Sequence, residues 1–453
     1  MAYHPRENWD PHRRKQIYTR RDFVRRAGKM GIVLPVLPAF LAACLEREPD
    51  AGPSTTGAGG PGTTGDGTPA TTVPDSGMAV GTPANPVQQP LFEDNPAIES
   101  GLPQEDGPLE IYNWEDYLRP RTIKRAGEAL GVEVKVTTFF NEEEALSRLA
   151  SGEFEFDVWF PTSQRVPVAV AAALIQPLNL DYLPNLEKFV WPQLANPYYD
   201  LGSRYTVPYV TYTTGVAWRN DMVDSADIEG QANPWDVFWN TEYAGNMGLY
   251  DSFTDTIALA LFRNGVADPS MATEADLTAA GDSLVELIDL MNVRYTIDGA
   301  YVGIPEGRFA LHHAWSGDLV NSQYYWPKGS DITVTRYLWP AKSQGSTVSG
   351  PISNDTMAVP KNSRRPVLAH NFINYLLDEE HSLDNFGWVG YQPPQNGLTS
   401  EYLIGDGWVP DYLESALVTP EDFELPSAWV QGPLDPATER LWNDQWTRAT
   451  SGG

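Results

Sequence analysis

Four side chains able to do acid–base or nucleophilic chemistry fall within seven residues: His312, His313, Ser316 and Asp318. Such a cluster invites a hydrolase, in which a histidine oriented by a carboxylate activates a serine. A triad, however, is assembled from separate segments, and Ser316 does not sit in a G-x-S-x-G turn. Adjacent residues of a strand point to opposite faces, so His312 and His313 cannot share one metal ion. The chain also has no H-E-x-x-H and no phosphate-cradling G-x-x-x-x-G-K-[ST]. Its only cysteine, Cys44, ends an apolar run, which leaves no disulfide and no cysteine-based metal site. Neither a cofactor nor a metal is expected.

The first hundred residues concern location. Residues 1–30 carry Arg13, Arg14, Lys15, Arg20, Arg21, Arg25, Arg26 and Lys29, and an apolar run from Gly31 to Ala43 follows, broken by Pro35 and Pro38. That run is too short to span a bilayer, which takes about 20 apolar residues. The layout is that of a secretory signal. Thr19-Arg20-Arg21-Asp22-Phe23-Val24-Arg25 resembles the twin-arginine export motif, with Arg25 where lysine is most usual. Leu41-Ala42-Ala43-Cys44 is similar to a bacterial lipobox, which implies removal of residues 1–43 and acylation of Cys44. The expected location is outside the cytoplasm, periplasmic or at the cell surface, anchored by lipid at Cys44.

Residues 44–106 are rich in Gly, Pro and Thr and are expected to form a flexible tether, because they hold too little apolar surface to offset ordering entropy. Folded sequence is expected from residue 107 onward. Removing the nine basic and three acidic residues of positions 1–43 from totals of 31 and 60 leaves 22 and 57, a formal charge of −35. Such a balance argues against nucleic-acid partners. It suits the attraction of cations, and equally a purely solubilising surface.

Stepping along the folded part, Leu109–Tyr112 reads as a strand leading into Asn113-Trp114. Arg121–Leu130 has helical spacing and stops at Gly131. Val132–Thr137 alternates and is β-branched, hence strand. Asn141 is an N-cap for a helix to Leu149, with Glu142, Glu143 and Glu144 in the first turn. Phe156–Phe160 is a buried strand followed by an Ala/Val-rich helix. This alternation predicts a parallel sheet with helices on its faces, and ligands of such sheets sit at the carboxyl ends of the strands. Trp114 and the Pro161-Thr162-Ser163 turn fall there. A second α/β region runs over 216–354, with helices over 255–262 and 274–291 and strands over 308–315 and 331–338.

Several stretches resemble, in order, the bacterial spermidine/putrescine-binding proteins. These are Leu109-Glu110-Ile111-Tyr112-Asn113-Trp114-Glu115-Asp116-Tyr117, Phe156-Asp157-Val158-Trp159-Phe160-Pro161-Thr162-Ser163, Thr206-Val207-Pro208-Tyr209, Trp315-Ser316-Gly317, Asn354-Asp355-Thr356-Met357-Ala358-Val359-Pro360 and Val389-Gly390-Tyr391-Gln392-Pro393-Pro394. The resemblance implies an α/β, two-lobed, hinged periplasmic-binding-protein fold of type II, with lobe one from 107–215 and 355–399 and lobe two from 216–354 and 400–453. It implies a monomeric binding protein, not an enzyme, that captures a polyamine and delivers it to a membrane ABC permease. Carried over, the site comprises Trp114, Tyr117, Thr162, Asp355 and Tyr391 in lobe one, and Asp255, Asp251 or Ser252, and Trp315 in lobe two. Carboxylates would meet the ammonium groups, and aromatic faces would cover the methylenes while attracting the charge by about 0.5–2 kcal/mol.

Each residue also has a structural role open to it. Asp255 suits the first turn of a helix, Asp355 could turn the chain, and Trp114, Tyr117 and Trp315 could be packing aromatics. Ser353 stands where the family commonly has a tryptophan, which implies a shorter or differently charged amine. A different solute in the same fold stays open: an amino acid derivative, an opine, a sugar or ferric iron. Ferric iron would want clustered tyrosines, and Tyr198-Tyr199 and Tyr324-Tyr325 lie outside the matched loops. Arg308 and Arg336 could serve a carboxylate ligand.

Overall fold

The computed structural model describes residues 78–139 and 141–451. The expected leader over 1–43, Cys44 and the tether as far as residue 77 lie outside the described residues. The rest divides into two compact units. The first holds residues 78–209 and Asp355–Asp378, and the second holds Val210–Asn354 and residues 379–451.

In the first unit, β1 (Leu109–Trp114) lies between β2 (Val134–Phe139) and β3 (Val158–Trp159), both parallel to it. The distal part of β9 (Gly350–Ala358) runs antiparallel beside β3, pairing Trp159 with Ala358. Helix α1 (Pro120–Leu130) starts on a proline whose missing N–H costs nothing there, and ends at Gly131 with φ 71°, the left-handed cap that glycine takes without strain. Helix α2 (Glu142–Ser151) starts at Asn141, whose side chain accepts the amide of Glu144 at 2.7 Å. The core gathers Tyr112, Phe139, Leu146, Phe156, Trp159 and Val170.

The second unit is built on β4 (Thr206–Arg219), whose part from Val210 belongs here, with β7 (Leu311–Trp315) and β8 (Thr335–Leu338) antiparallel to it. Strand β5 (Met247–Tyr250) runs parallel to both β7 and β6 (Arg294–Thr296). Helices α3 (Phe253–Arg263), α4 (Glu274–Met291) and the C-terminal α5 (Pro436–Thr450) pack together over a core that includes Trp218, Trp235, Phe262, Leu284 and Trp442.

Two expectations are corrected. Residues 78–106 are not a free tether. Met78, Val87, Gln89, Phe92 and Asn95 are buried. The backbone of Val87 exchanges hydrogen bonds with Tyr198 and Leu201, and the Gln89 amide donates to the carbonyls of Ala79 (3.0 Å) and Tyr199 (2.7 Å). The segment is poor in apolar residues, but the few it has are placed to enter the core, and side-chain amides satisfy the irregular backbone. The division into lobes also shifts. Residues 210–215 and 379–399 belong with the second unit, because Thr214 pairs with Trp315, Thr211 bridges Gln392, and Tyr391 bonds Asp318.

Gln89→Ala removes the two buried hydrogen bonds from this amide to the Ala79 and Tyr199 carbonyls. It should lower unfolding stability by about 1–3 kcal/mol, measured by urea denaturation against the parent chain. An unchanged midpoint would show the 78–106 segment to be dispensable packing.

Candidate functional site

In the first unit the expected residues converge at the carboxyl ends of the parallel strands. Trp114 ends β1, half-buried, with its indole N–H on the Phe160 carbonyl (3.1 Å) and its ring 4.6 Å from that of Phe139. Asp116 takes a positive φ of 55°, a left-handed conformation that aspartate adopts more readily than most residues, and this turn delivers Tyr117. The Tyr117 hydroxyl donates to Asp355 Oδ2 at 2.7 Å, and the Tyr209 hydroxyl donates to the Tyr117 carbonyl. Asp355 pairs with Thr162 in an antiparallel bridge, so the end of β9 sets its carboxylate beside the Pro161–Ser163 turn. Thr356 closes this corner by donating its amide to Pro161 at 2.8 Å.

Glu142, read from the sequence only as a helix-dipole residue, turns inward. It is buried, and its two oxygens accept the amide and the hydroxyl of Thr162, each at 2.8 Å. Burial pushes the Glu142 carboxyl upward, while Arg165 Nε at 3.4 Å and the Thr162 donors hold it down.

The second unit carries its own set at the carboxyl ends of β5 and β7. Tyr250 and Trp315 stack at 3.9 Å, and the Trp315 amide donates to the Tyr250 hydroxyl at 2.8 Å. Ser252 is the N-cap of α3 and Asp255 lies in its first turn, as the dipole favours. The Asp255 carboxylate nevertheless looks outward from that role. It accepts the Ser252 hydroxyl (2.6 Å), the Trp315 indole N–H (3.1 Å) and the Thr214 hydroxyl (3.5 Å). Burial pushes its pKa up. Asp251, the alternative to Ser252, is exposed.

Tyr391 lies in the second unit rather than the first. Its hydroxyl donates to Asp318 Oδ1 at 2.7 Å, while that of Tyr250 donates to Oδ2 at 2.6 Å. A Cβ at Gly317 would stand 2.3 Å from the Tyr391 ring, so only glycine admits this contact. Tyr212 joins edge-on to both Tyr391 (5.7 Å) and Trp315 (6.3 Å). Asp318, Tyr250 and Tyr212 were missed as members of the set. The signal for Asp318 was its place three residues after Trp315 in the first turn of a helix, obscured by the hydrolase pattern.

That pattern dissolves in the structure. Ser316 Oγ accepts the Thr213 amide (3.2 Å), and Asp318 is taken by the two tyrosines. His312 and His313 are buried among Phe309, Tyr250, Trp235 and Phe238, and burial lowers their pKa values to about 4 and about 3. Both rings are neutral core residues. Among the described residues no group of three His, Cys, Asp or Glu side chains could hold a metal ion, and no helix is long and apolar enough to cross a membrane.

Comparison with known proteins agrees with this architecture. Residues 122–402 match the model of the bacterial extracellular solute-binding proteins, and the chain belongs to that family. It is similar to the putrescine-binding periplasmic protein SpuD of Pseudomonas aeruginosa, 23% identical over 76% of this chain and 92% of that one. The putrescine-binding periplasmic protein PotF of Escherichia coli is 25% identical over 78% and 93% of the two chains. Among solved structures, a putative spermidine/putrescine ABC transporter protein from Listeria monocytogenes superposes with a TM-score of 0.63 at 23% identity, covering 76% of this chain and 98% of that one. The fold is the α/β periplasmic-binding-protein fold, and the family binds solutes and is not one of enzymes.

Burial raises the Asp318 carboxyl to about 7 from 3.8. The folded state therefore holds a proton that the unfolded state releases between those values, and ligand-free stability should fall as pH rises through that window. Asp318→Asn should flatten this dependence relative to the parent, measured by denaturant unfolding at pH 5 and pH 8. Parallel curves for the two chains would place the Asp318 pKa near its ordinary value.

Proposed function

We propose that this protein captures a small organic cation of the polyamine type, putrescine- or spermidine-like, outside the cytoplasm and presents it to the permease of an ABC importer. The observation that carries the reading is the pair of buried carboxylates, Asp355 and Asp255, each accepting a hydrogen bond from an aromatic side chain, Tyr117 and Trp315 respectively. Burying a carboxylate is costly, and an ammonium group brought against it offsets that cost. The rings of Trp114, Tyr117, Trp315 and Tyr391 supply flat apolar surface for methylenes and attraction for positive charge. Thr162, Ser252 and Asp251 complete the proposed set, with Asp251 as an exposed outer carboxylate.

The similarity to SpuD and PotF, both putrescine-binding periplasmic proteins, supports the same class of solute. So does the surplus of acidic residues, which draws cations toward the protein. Ligand binding biases a hinged protein toward one conformation by its differential affinity for that state, and this is how delivery to a permease would be signalled. Acylation at Cys44 would raise the effective concentration of the receptor near the permease, with the protein acting as a monomer.

Putrescine or spermidine should raise the melting temperature in a thermal-shift series, by the equivalent of about 2.7 kcal/mol at a hundredfold excess over Kd. Asp355→Ala should abolish most of that rise. Stabilisation by sugars or anions alone would refute the polyamine assignment while leaving the fold and the family intact.

A further inference from the structure

The direction of one hydrogen bond in the first unit's set is fixed by a residue outside the set carried over from the resemblance. Glu142 lies at the start of α2, buried, and receives both hydrogen-bonding protons of Thr162: the backbone N–H on Oε1 and the hydroxyl on Oε2. Arg165 Nε stands 3.4 Å from Oε2, so the groups hydrogen-bonded or ion-paired to this carboxylate, Thr162 and Arg165, are donors. The backbone N–H cannot reverse its direction, and the guanidinium cannot accept. The Thr162 hydroxyl is therefore committed as a donor toward Glu142, and its oxygen has only lone pairs left to offer elsewhere.

The same polarity recurs around it. Tyr117 donates to Asp355, and in the second unit Ser252 and Trp315 donate to Asp255. Side-chain donors are turned onto protein carboxylates. A ligand rich in N–H donors meets acceptors, whereas a carboxylate or sugar hydroxyl acting as acceptor meets no partner from these groups.

Resting on the polyamine reading above, we infer that Glu142 is a specificity-determining positioning residue: by holding the Thr162 proton it fixes Thr162 Oγ1 as an acceptor and so selects ammonium over acceptor groups. In Glu142→Gln the carboxamide oxygen stays on the fixed Thr162 N–H, and its NH2 then donates to Oγ1. The hydroxyl proton is turned away from residue 142 and toward the ligand side, which reverses the polarity offered there.

The test is isothermal titration of the full chain and its variants with putrescine and with 4-aminobutyrate, in which a carboxylate takes the place of one terminal CH2–NH3+ of putrescine. Glu142→Gln should weaken putrescine by about tenfold or more and should shift the putrescine to 4-aminobutyrate preference in the same direction. Thr162→Val should show a similar loss, Thr162→Ser should retain binding, and adding Glu142→Gln to Thr162→Val should cost less than about twofold further, because coupled residues are not additive. A merely structural role for Glu142 would weaken both ligands alike. Wild-type affinity in Glu142→Gln, an unchanged preference, or losses that multiply in the double variant would overturn the inference while leaving the polyamine reading in place. Should Glu142→Gln not fold, equal affinities of Thr162→Val and Thr162→Ser would overturn it just as well. A parent chain that binds neither diamine nor triamine refutes the polyamine reading and this inference together.

Discussion

The organisation of both candidate sets depends on buried carboxylates that take hydrogen bonds from neutral side chains. Asp255 and Asp355 are each largely removed from water; Asp255 accepts the Ser252 and Thr214 hydroxyls and the Trp315 indole N–H, and Asp355 accepts the Tyr117 hydroxyl. Neutral donors stabilise a negative charge without cancelling it. In the proposed function, the residual field is what a cationic solute would meet. Glu142 differs in this respect: Arg165 offsets its charge, and it acts on its surroundings through hydrogen-bond direction.

The scaffold makes this arrangement affordable in stability. Each set stands where parallel strands end and helices begin, so the backbone on one side is already paired and the chain on the other is free to turn. Tyr112 and Trp159 anchor the first sheet from below, and Trp218 and Trp235 lie in the core of the second. The exposed turn at Asp116, with its left-handed φ, redirects the chain so that the next residue, Tyr117, enters the interior.

Much of this was legible in the chain. Asn141 as a cap, Gly131 as a stop, and the strands leading to Trp114 and Thr162 follow from local rules that the packing did not override. What escaped was non-local. Nothing about the spacing of Gln89 or Phe92 announces that a proline-rich stretch will pack, because its stability comes from partners such as Tyr199, 110 residues away. Tyr391 was assigned to the wrong unit because neighbouring sequence suggested the first one, whereas its hydroxyl bonds a carboxylate 73 residues back. Glu142 was read as one of three acids in a first turn, and periodicity could not say which of them faces inward.

The cluster His312, His313, Ser316 and Asp318 shows why proximity in sequence is a poor guide to shared chemistry. Both histidines enter packed aromatic surroundings and are held neutral, with pKa values of about 4 and about 3. Ser316, just past the strand end, is fixed by a backbone amide. Only Asp318, one further step into the helix, reaches the candidate set, through Tyr250 and Tyr391. The change from strand to helix at Trp315 rotates successive side chains into different surroundings, so four reactive groups that look like one machine are distributed among three separate tasks: core, turn and ring support.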